Sequence, residues 1–390
     1  MQASEPFQEY TWKLFDTYTD AGIEFLRTEC NYMPSVQNLV SSLSNLYELL
    51  LIYYKVEVSP LPENPSSLNM CFLYSFIWSI GGFLEPDVRF RFDVFCRQLF
   101  HSLGELPAEG LLYDYYIDID NKAYVHWNNL LPAISDEPPI DTKFDNILIP
   151  TIDSIRYSYV LKVLLSGDKP VLLRGPTGAG KSKIIESVFE ESTKKNLFLT
   201  NTIHLSQGIT STFTQLLLES NLEKKRSKVF SPPKDQKAVV FVDDLSAPTP
   251  DENGSQPPLE MIRQYCDQGG VYERKSFIWN KIENVNLVAS MTSGGHKVSP
   301  RLLRHFHVLY YPEPDTNQLN YVFKGLIKYS SMYQSVPSDL KKMLQSLVSA
   351  SINLFQKMQR EFLPIPSKPH YTYNLRDLYH LTQGKYILFS

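Results

Sequence analysis

The chain has 390 residues, 43% of them hydrophobic and 21% charged, which allows a sizeable buried core in two or three domains and argues against disorder. A formal net charge of −4 excludes the strongly basic character of a nucleic-acid-binding surface. No apolar run reaches the ~20 residues that cross a bilayer, the first residues lack the basic and apolar parts of a secretory signal, and Cys30, Cys71, Cys96 and Cys266 show neither C-x-x-C pairing nor histidines at ligand spacing. The expectation is a soluble, intracellular protein with reduced thiols and neither nucleic-acid nor membrane partners.

The N-terminal third reads as helices. Trp12, Phe15 and Tyr18 recur at helical spacing, and Val36, Leu39, Val40, Leu43, Leu46, Leu49 and Leu50 continue the pattern. Val58 to Pro65 holds three prolines and breaks it. Leu68 to Ile80 is a strongly apolar helix, with Gly81-Gly82 as its stop signal, and a further amphipathic helix carries Phe90, Phe92, Val94, Phe95 and Phe100. Aromatics at this spacing are read as core, not as a ligand pocket. Tyr113 to Asp120 largely alternates acidic and apolar residues, which suggests a strand with one solvated face. Asp114, Asp118 and Asp120 lack the glycine and terminal glutamate of a calcium loop. Ser135-Asp136-Glu137-Pro138-Pro139 marks a boundary.

From Ile147 onward, apolar strands alternate with helical stretches. Strands are expected at Val171–Arg174, Thr202–Leu205, Ala238–Val242, Asn286–Met291 and His307–Tyr311, with helices starting near Ser182, Ser211, Pro258 and Ser299. Such alternation predicts an α/β fold with a parallel sheet covered on both faces and ligands at the carboxyl ends of its strands.

At the end of the first of these strands stands Gly175-Pro176-Thr177-Gly178-Ala179-Gly180-Lys181-Ser182, which fits G-x-x-x-x-G-K-[ST] in the strand–loop–helix context that motif requires. Glycines let successive N–H groups line a concave nest, and the helix N-terminus adds partial positive charge. Lys181 would reach the β- and γ-phosphates of a nucleotide, and Ser182 would ligate Mg²⁺. The plainer reading is a glycine-rich turn beside a lysine.

Ala238 to Val242 is a fully apolar strand that ends in Asp243-Asp244. In this position Asp243 would orient the metal and its water shell, and Asp244 would orient or deprotonate the attacking water. Arg301 and Arg304 lie about one helical turn apart and could reach a phosphate on a neighbouring module; the alternative is a solvated or salt-bridged pair. Lys224-Lys225-Arg226-Ser227-Lys228 reads as a solvated loop, and His305 and His307 lack further ligands.

Together, Phe241-Val242-Asp243-Asp244-Leu245, Gly254 to Gln264, Gly269-Gly270-Val271-Tyr272 and Arg301-Leu302-Leu303-Arg304-His305-Phe306 resemble the third AAA+ module of an axonemal dynein heavy chain. Ile149 to Tyr157 resembles that module's lead-in, Phe76 to Gly82 the end of the second module, and Tyr371 to Leu378 the small helical subdomain of the third. The resemblance covers nearly the whole chain.

It implies an AAA+ P-loop NTPase with a five-stranded parallel sheet, preceded by an all-helical subdomain and followed by a partial helical lid. Its bounds would be a helical subdomain of the preceding module at 1–105, a connecting segment at 106–145, the large α/β domain at 146–312 and the small helical subdomain at 313–390. The implied ligands are ATP or ADP with Mg²⁺. Ser182 and Asp243 would serve the metal, Ile149, Pro150 and Thr151 would border the adenine, and Arg376 would be the sensor arginine. Asp244 stands where many AAA+ modules have glutamate, and one methylene less shortens its reach by about 1.5 Å. Thr292 stands where such modules often carry a sensor asparagine. Both point to slow or absent hydrolysis.

Arg301 and Arg304 would face the nucleotide of the preceding module. The expected partners are neighbouring AAA+ modules and other dynein subunits, with microtubules reached only indirectly, in the cytoskeleton of the cytoplasm or the ciliary axoneme. The sequence reads as a fragment or short isoform, not a complete motor. Two other readings stay open: an independently active P-loop ATPase, and an interaction protein with a vestigial loop.

Overall fold

A computed structural model describes residues 5–29, 43–47, 49–50, 65–118, 121–132, 148–329, 337–363, 365–368 and 371–389. Val36, Leu39, Val40, the segment 58–64, Cys30, Asp120 and the boundary at Ser135 to Pro139 lie outside the described residues.

Among the described residues, the fold opens with helices α1 (Glu5–Glu29), α2 (Pro65–Ile80) and α3 (Pro86–Leu99), and residues 43–47 and 49–50 between the first two are also helical. Helix α2 is apolar all round and therefore buried, with Phe72, Phe76, Trp78 and Ile80 fully enclosed. Helix α1 lays Leu14, Tyr18, Phe25 and Leu26 on this cluster, with the Tyr18 and Phe100 rings 4.8 Å apart. Helix α3 buries Arg89, Phe92, Asp93 and Cys96, a single face at i, i+3, i+4 and i+7. Phe90 (64% exposed) and Val94 (43%) therefore face solvent, contrary to the reading of all these positions as core. Gly81 is needed for closeness and not for a left-handed turn. A β-carbon there would meet the Tyr113 hydroxyl, the Phe92 ring and the Ile77 carbonyl.

The hairpin β1 (Tyr115–Asp118) and β2 (Ala123–His126) follows, and only Ile117 of β1 is buried. Then come α4 (Ile152–Ser166), β3 (Val171–Gly175), α5 (Lys181–Lys194), β4 (Leu199–His204), α6 (Ser211–Glu219), β5 (Glu223–Arg226), β6 (Val229–Ser231), β7 (Ala238–Asp243), α7 (Pro257–Gln268), β8 (Gly270–Tyr272), β9 (Trp279–Ile282), β10 (Val285–Thr292), a single turn α8 (Pro300–Leu303) and β11 (His307–Tyr310). The main sheet has the order β11-β3-β10-β7-β4, and every pairing in it is parallel.

All five expected strands are present. The second starts three residues early, at Leu199, because its exposed edge position leaves no apolar run to read. Alternation sends Val171, Leu173, Val239, Phe241, Val288 and Leu309 to one face, where α4, α5 and the N-terminal helices form a continuous core. Leu172, Val240, Val242, Leu287 and Ala289 face the other way, onto α7 and α8.

A second sheet, β5-β6-β9-β8, has no counterpart in the sequence reading. The basic run expected as a loop is partly strand β5, all four of whose residues are exposed. A strand solvated on both faces has no alternation to reveal it. Helices α9 (Thr316–Lys328), α10 (Ser338–Glu361) and α11 (Leu375–Phe389) close the chain around a third core that includes Leu319, Phe323, Val348, Ile352, Leu378 and, from far upstream, Ile149.

Two buried arginines join these parts. Arg89 donates to the carbonyls of Leu84 (2.8 Å), Gly82 (3.2 Å) and Tyr310 (2.5 Å), and the Tyr113 ring lies 5.2 Å from its guanidinium. Carbonyl oxygens and ring faces thus satisfy a buried cation. Arg156 of α4 bonds Asp153 and, at 2.9 Å, Asp114. The other oxygen of Asp153 accepts from Gln318 of α9 at 2.9 Å. Among the described residues, no helix is long and apolar enough to cross a membrane.

Candidate nucleotide site

Strand β3 delivers the chain at Gly175, and helix α5 begins at Lys181. The turn between them needs left-handed backbone at Gly178 (φ 76°) and Gly180 (φ 105°). Gly175 packs so closely on the Tyr311 carbonyl that no side chain fits. Pro176 is half-buried, Thr177 is exposed, and Ala179 anchors the loop in the core. Lys181 is 6% exposed and folds back onto its own loop, donating to the carbonyls of Gly175 (3.0 Å) and Pro176 (2.6 Å). Burial pushes its pKa down, and the carboxylates of Asp244 and Asp243 partly offset that.

The sheet places three strand ends side by side. His204 of β4 is in register with Asp243 of β7, and the β7–β10 pairing of Val242 with Ala289 sets Ser290 beside Asp243. Asp243 Oδ1 accepts from the Ser182 hydroxyl at 2.9 Å and from the Ser290 hydroxyl at 2.7 Å. Its Oδ2 lies 3.3 Å from His204 Nδ1. Ser182 and Asp243, 61 positions apart, thus meet as expected.

Asp244 sits in left-handed backbone (φ 59°), which aspartate tolerates better than most residues. Its N–H donates to Ser290 Oγ at 2.9 Å, and its Oδ1 accepts from Ser246 Oγ at 2.5 Å. Thr292 is in register with Gly175, and its N–H donates to Ser246 Oγ at 3.2 Å. Ser290, Ser246 and His204 were not anticipated. The legible signal was Ser290, a polar residue in an apolar strand, two positions before Thr292 and so on the same side.

Of the other expected residues, Ile149 lies in the third core, Pro150 is half-buried, and Thr151 caps α4 through reciprocal bonds with Ser154. Arg376 is exposed in the first turn of α11, and its N–H donates to Asn374 Oδ1 at 2.8 Å. Asn374 is the side chain nearest to Gly178, so this end of α11 abuts the loop. The two arginines differ. Arg304 donates to Asp267 Oδ1 at 2.7 Å, whereas Arg301 is exposed with no side-chain ion pair among the described residues. Asp267 also pairs with Arg263 and, at 2.8 Å, with His305.

This arrangement fits a nucleotide with a hard cation. The glycine loop and the start of α5 aim N–H groups at one point. The donors that meet beside it, the Ser182 hydroxyl and the Asp243 carboxylate, are oxygens of the kind Mg²⁺ takes. Among the described residues, this site included, no group of three or more His, Cys, Asp or Glu side chains could hold a metal ion, so the cation would lean on the hydroxyl, the carboxylate and the nucleotide itself.

Comparison with known proteins gives the same picture. Residues 136–314 match the profile of the P-loop containing dynein motor region, 11–129 that of the dynein heavy chain AAA lid domain, and 347–390 that of the AAA+ lid domain. The chain is 33% identical over 390 residues to dynein axonemal heavy chain 6 of Homo sapiens, covering 98% of this chain and 9% of that protein. It is 29% identical over 397 residues to dynein axonemal heavy chain 12 of Mus musculus (95% of this chain, 13% of that protein) and 30% identical over 423 residues to dynein axonemal heavy chain 1 of Mus musculus (97% and 10%). It therefore spans about a tenth of the length of these heavy chains. With two dynein profiles covering most of its length on an AAA+ fold, the chain belongs to the dynein heavy chain family and carries part of its AAA motor region.

Proposed function

We propose that the chain binds ATP or ADP with Mg²⁺ at Gly175 to Ser182, as an AAA+ module of an axonemal dynein heavy chain in which nucleotide is a regulatory or structural ligand. The observation that carries this is the 2.9 Å contact between Ser182 and Asp243 beside an intact phosphate loop. Lys181 serves the phosphates, Ser182 and Asp243 the metal, Ile149 to Thr151 the base, and Arg376 the sensor role. Asp244 and Thr292 fill the water-activating and sensor positions with shorter or non-amide side chains, which favours slow hydrolysis. The proposed units are 1–105, 106–145, 146–312 and 313–390. Arg301, with no side-chain ion pair among the described residues, suits a contact with a neighbouring module. Partners are then other AAA+ modules and dynein subunits, with microtubules engaged only through the whole motor in the ciliary axoneme.

The test is to purify the chain, identify any nucleotide that co-purifies, and time the hydrolysis of added Mg-ATP. Tight ADP or ATP with little turnover is expected. Protein that gains no thermal stability with Mg-ATP overturns the reading. Rapid turnover abolished by Lys181→Ala would favour an independently active ATPase.

A further inference from the structure

Three of the four polar groups of Asp244, all but Oδ2, are bonded within the chain. Its N–H is bound to Ser290 Oγ at 2.9 Å, its carbonyl accepts from Ala247 N–H at 3.0 Å, and its Oδ1 accepts from Ser246 Oγ at 2.5 Å. Ser246 is 3% exposed and is held in turn. Its hydroxyl accepts from Thr292 N–H at 3.2 Å, and its carbonyl accepts from His296 N–H at 3.1 Å. Gly295 presses on it so closely that a β-carbon there would strike the Ser246 side chain. The last residue of β10 and the loop after it thus fix Ser246, and Ser246 fixes the carboxylate.

We propose that Ser246 is a positioning residue: it latches the Asp244 carboxylate to the loop after β10 and so restrains hydrolysis of bound nucleotide. This rests on the nucleotide-binding reading of the site. In hydrolysis a water oxygen bonds the terminal phosphorus and the bond from that phosphorus to the bridging oxygen breaks. The water's proton passes to a carboxylate oxygen, and nucleoside diphosphate and phosphate leave. A carboxylate bonded to Ser246 and on a backbone tied at both ends has little freedom to turn toward that water. Movement of residues 292–296 would release it, which makes the latch responsive to whatever moves that loop.

The test compares the full chain with Ser246→Ala, Ser246→Thr and Gly295→Ala. Three readouts are taken: Mg-ATP affinity, single-turnover hydrolysis, and hydrogen exchange of the Thr292 amide without nucleotide. Ser246→Ala and Gly295→Ala are expected to keep affinity within about twofold while raising hydrolysis by roughly threefold or more, and Ser246→Thr, which keeps the hydroxyl, to return the parent rate. Hydrolysis that is unchanged or slower in Ser246→Ala, at unchanged affinity, overturns the latch. If the parent chain binds no nucleotide, the site reading falls on that result, and the amide still decides the latch: faster Thr292 exchange in Ser246→Ala supports it, and unchanged exchange overturns it.

Discussion

Arg304 donates to Asp267 across 2.7 Å, while Arg301, three residues earlier, makes no side-chain ion pair among the described residues. Two arginines that looked equivalent in the sequence are therefore different: both are exposed, but one is tied to Asp267 beside Arg263 and His305 and the other is not. Arg304→Ala is expected to cost about 1 kcal/mol, in keeping with a partly exposed, charge-assisted pair. Arg301→Ala should stay within about 0.5 kcal/mol of the parent. Urea unfolding of both variants checks this, and equal losses would contradict it.

The roles proposed for Lys181 and Ser182, phosphate and metal, can be told apart. On the proposed reading, Lys181→Ala should weaken nucleotide binding at least ~10-fold with or without Mg²⁺, since it removes the cation assigned to the phosphates. Ser182→Ala should weaken binding mainly when Mg²⁺ is present. Titration calorimetry in Mg²⁺ and in chelator distinguishes the two patterns.

His307 is 2% exposed, and its Nε2 lies 3.0 Å from the Trp78 carbonyl. Burial pushes its pKa down to about 4 from an ordinary 6.5. The unfolded chain therefore takes the proton more readily. The neutral ring's contribution to stability is complete above pH ~6.5 and is lost as pH falls toward 4, about 3 kcal/mol in all. Denaturation midpoints between pH 7.5 and 4.5 should fall accordingly, and His307→Leu should flatten that part of the profile.

Gly81→Ala should cost about 2–3 kcal/mol, because its methyl group would overlap the Tyr113 hydroxyl and the Phe92 ring in a packed core. Gly208→Ala, with open space around the new carbon, should cost much less. Thermal melting of the pair provides the comparison.

Much of the architecture was legible without coordinates. The β7 strand, β3 with its glycine loop, and the all-apolar helix α2 announce themselves through local period and composition, which the chain expresses within a few residues. The meeting of Ser182 with Asp243 was legible too, because the loop motif and the apolar strand ending in aspartate are each readable alone. The side sheet was not: β5 is solvated on both faces and has no hydrophobic rhythm. Nor were the partners of the acidic pair. Ser290 reaches Asp243 across 47 positions, and Ser246 is held by a loop about 46 positions downstream. Strand order and register make these neighbours, and the sequence states neither. The sequence by itself determined that a phosphate loop stands at the end of a parallel strand. Only the tertiary structure decided which arginine is engaged, why Gly81 is glycine and what holds Asp244, because each depends on side chains that folding brings together from distant parts of the chain.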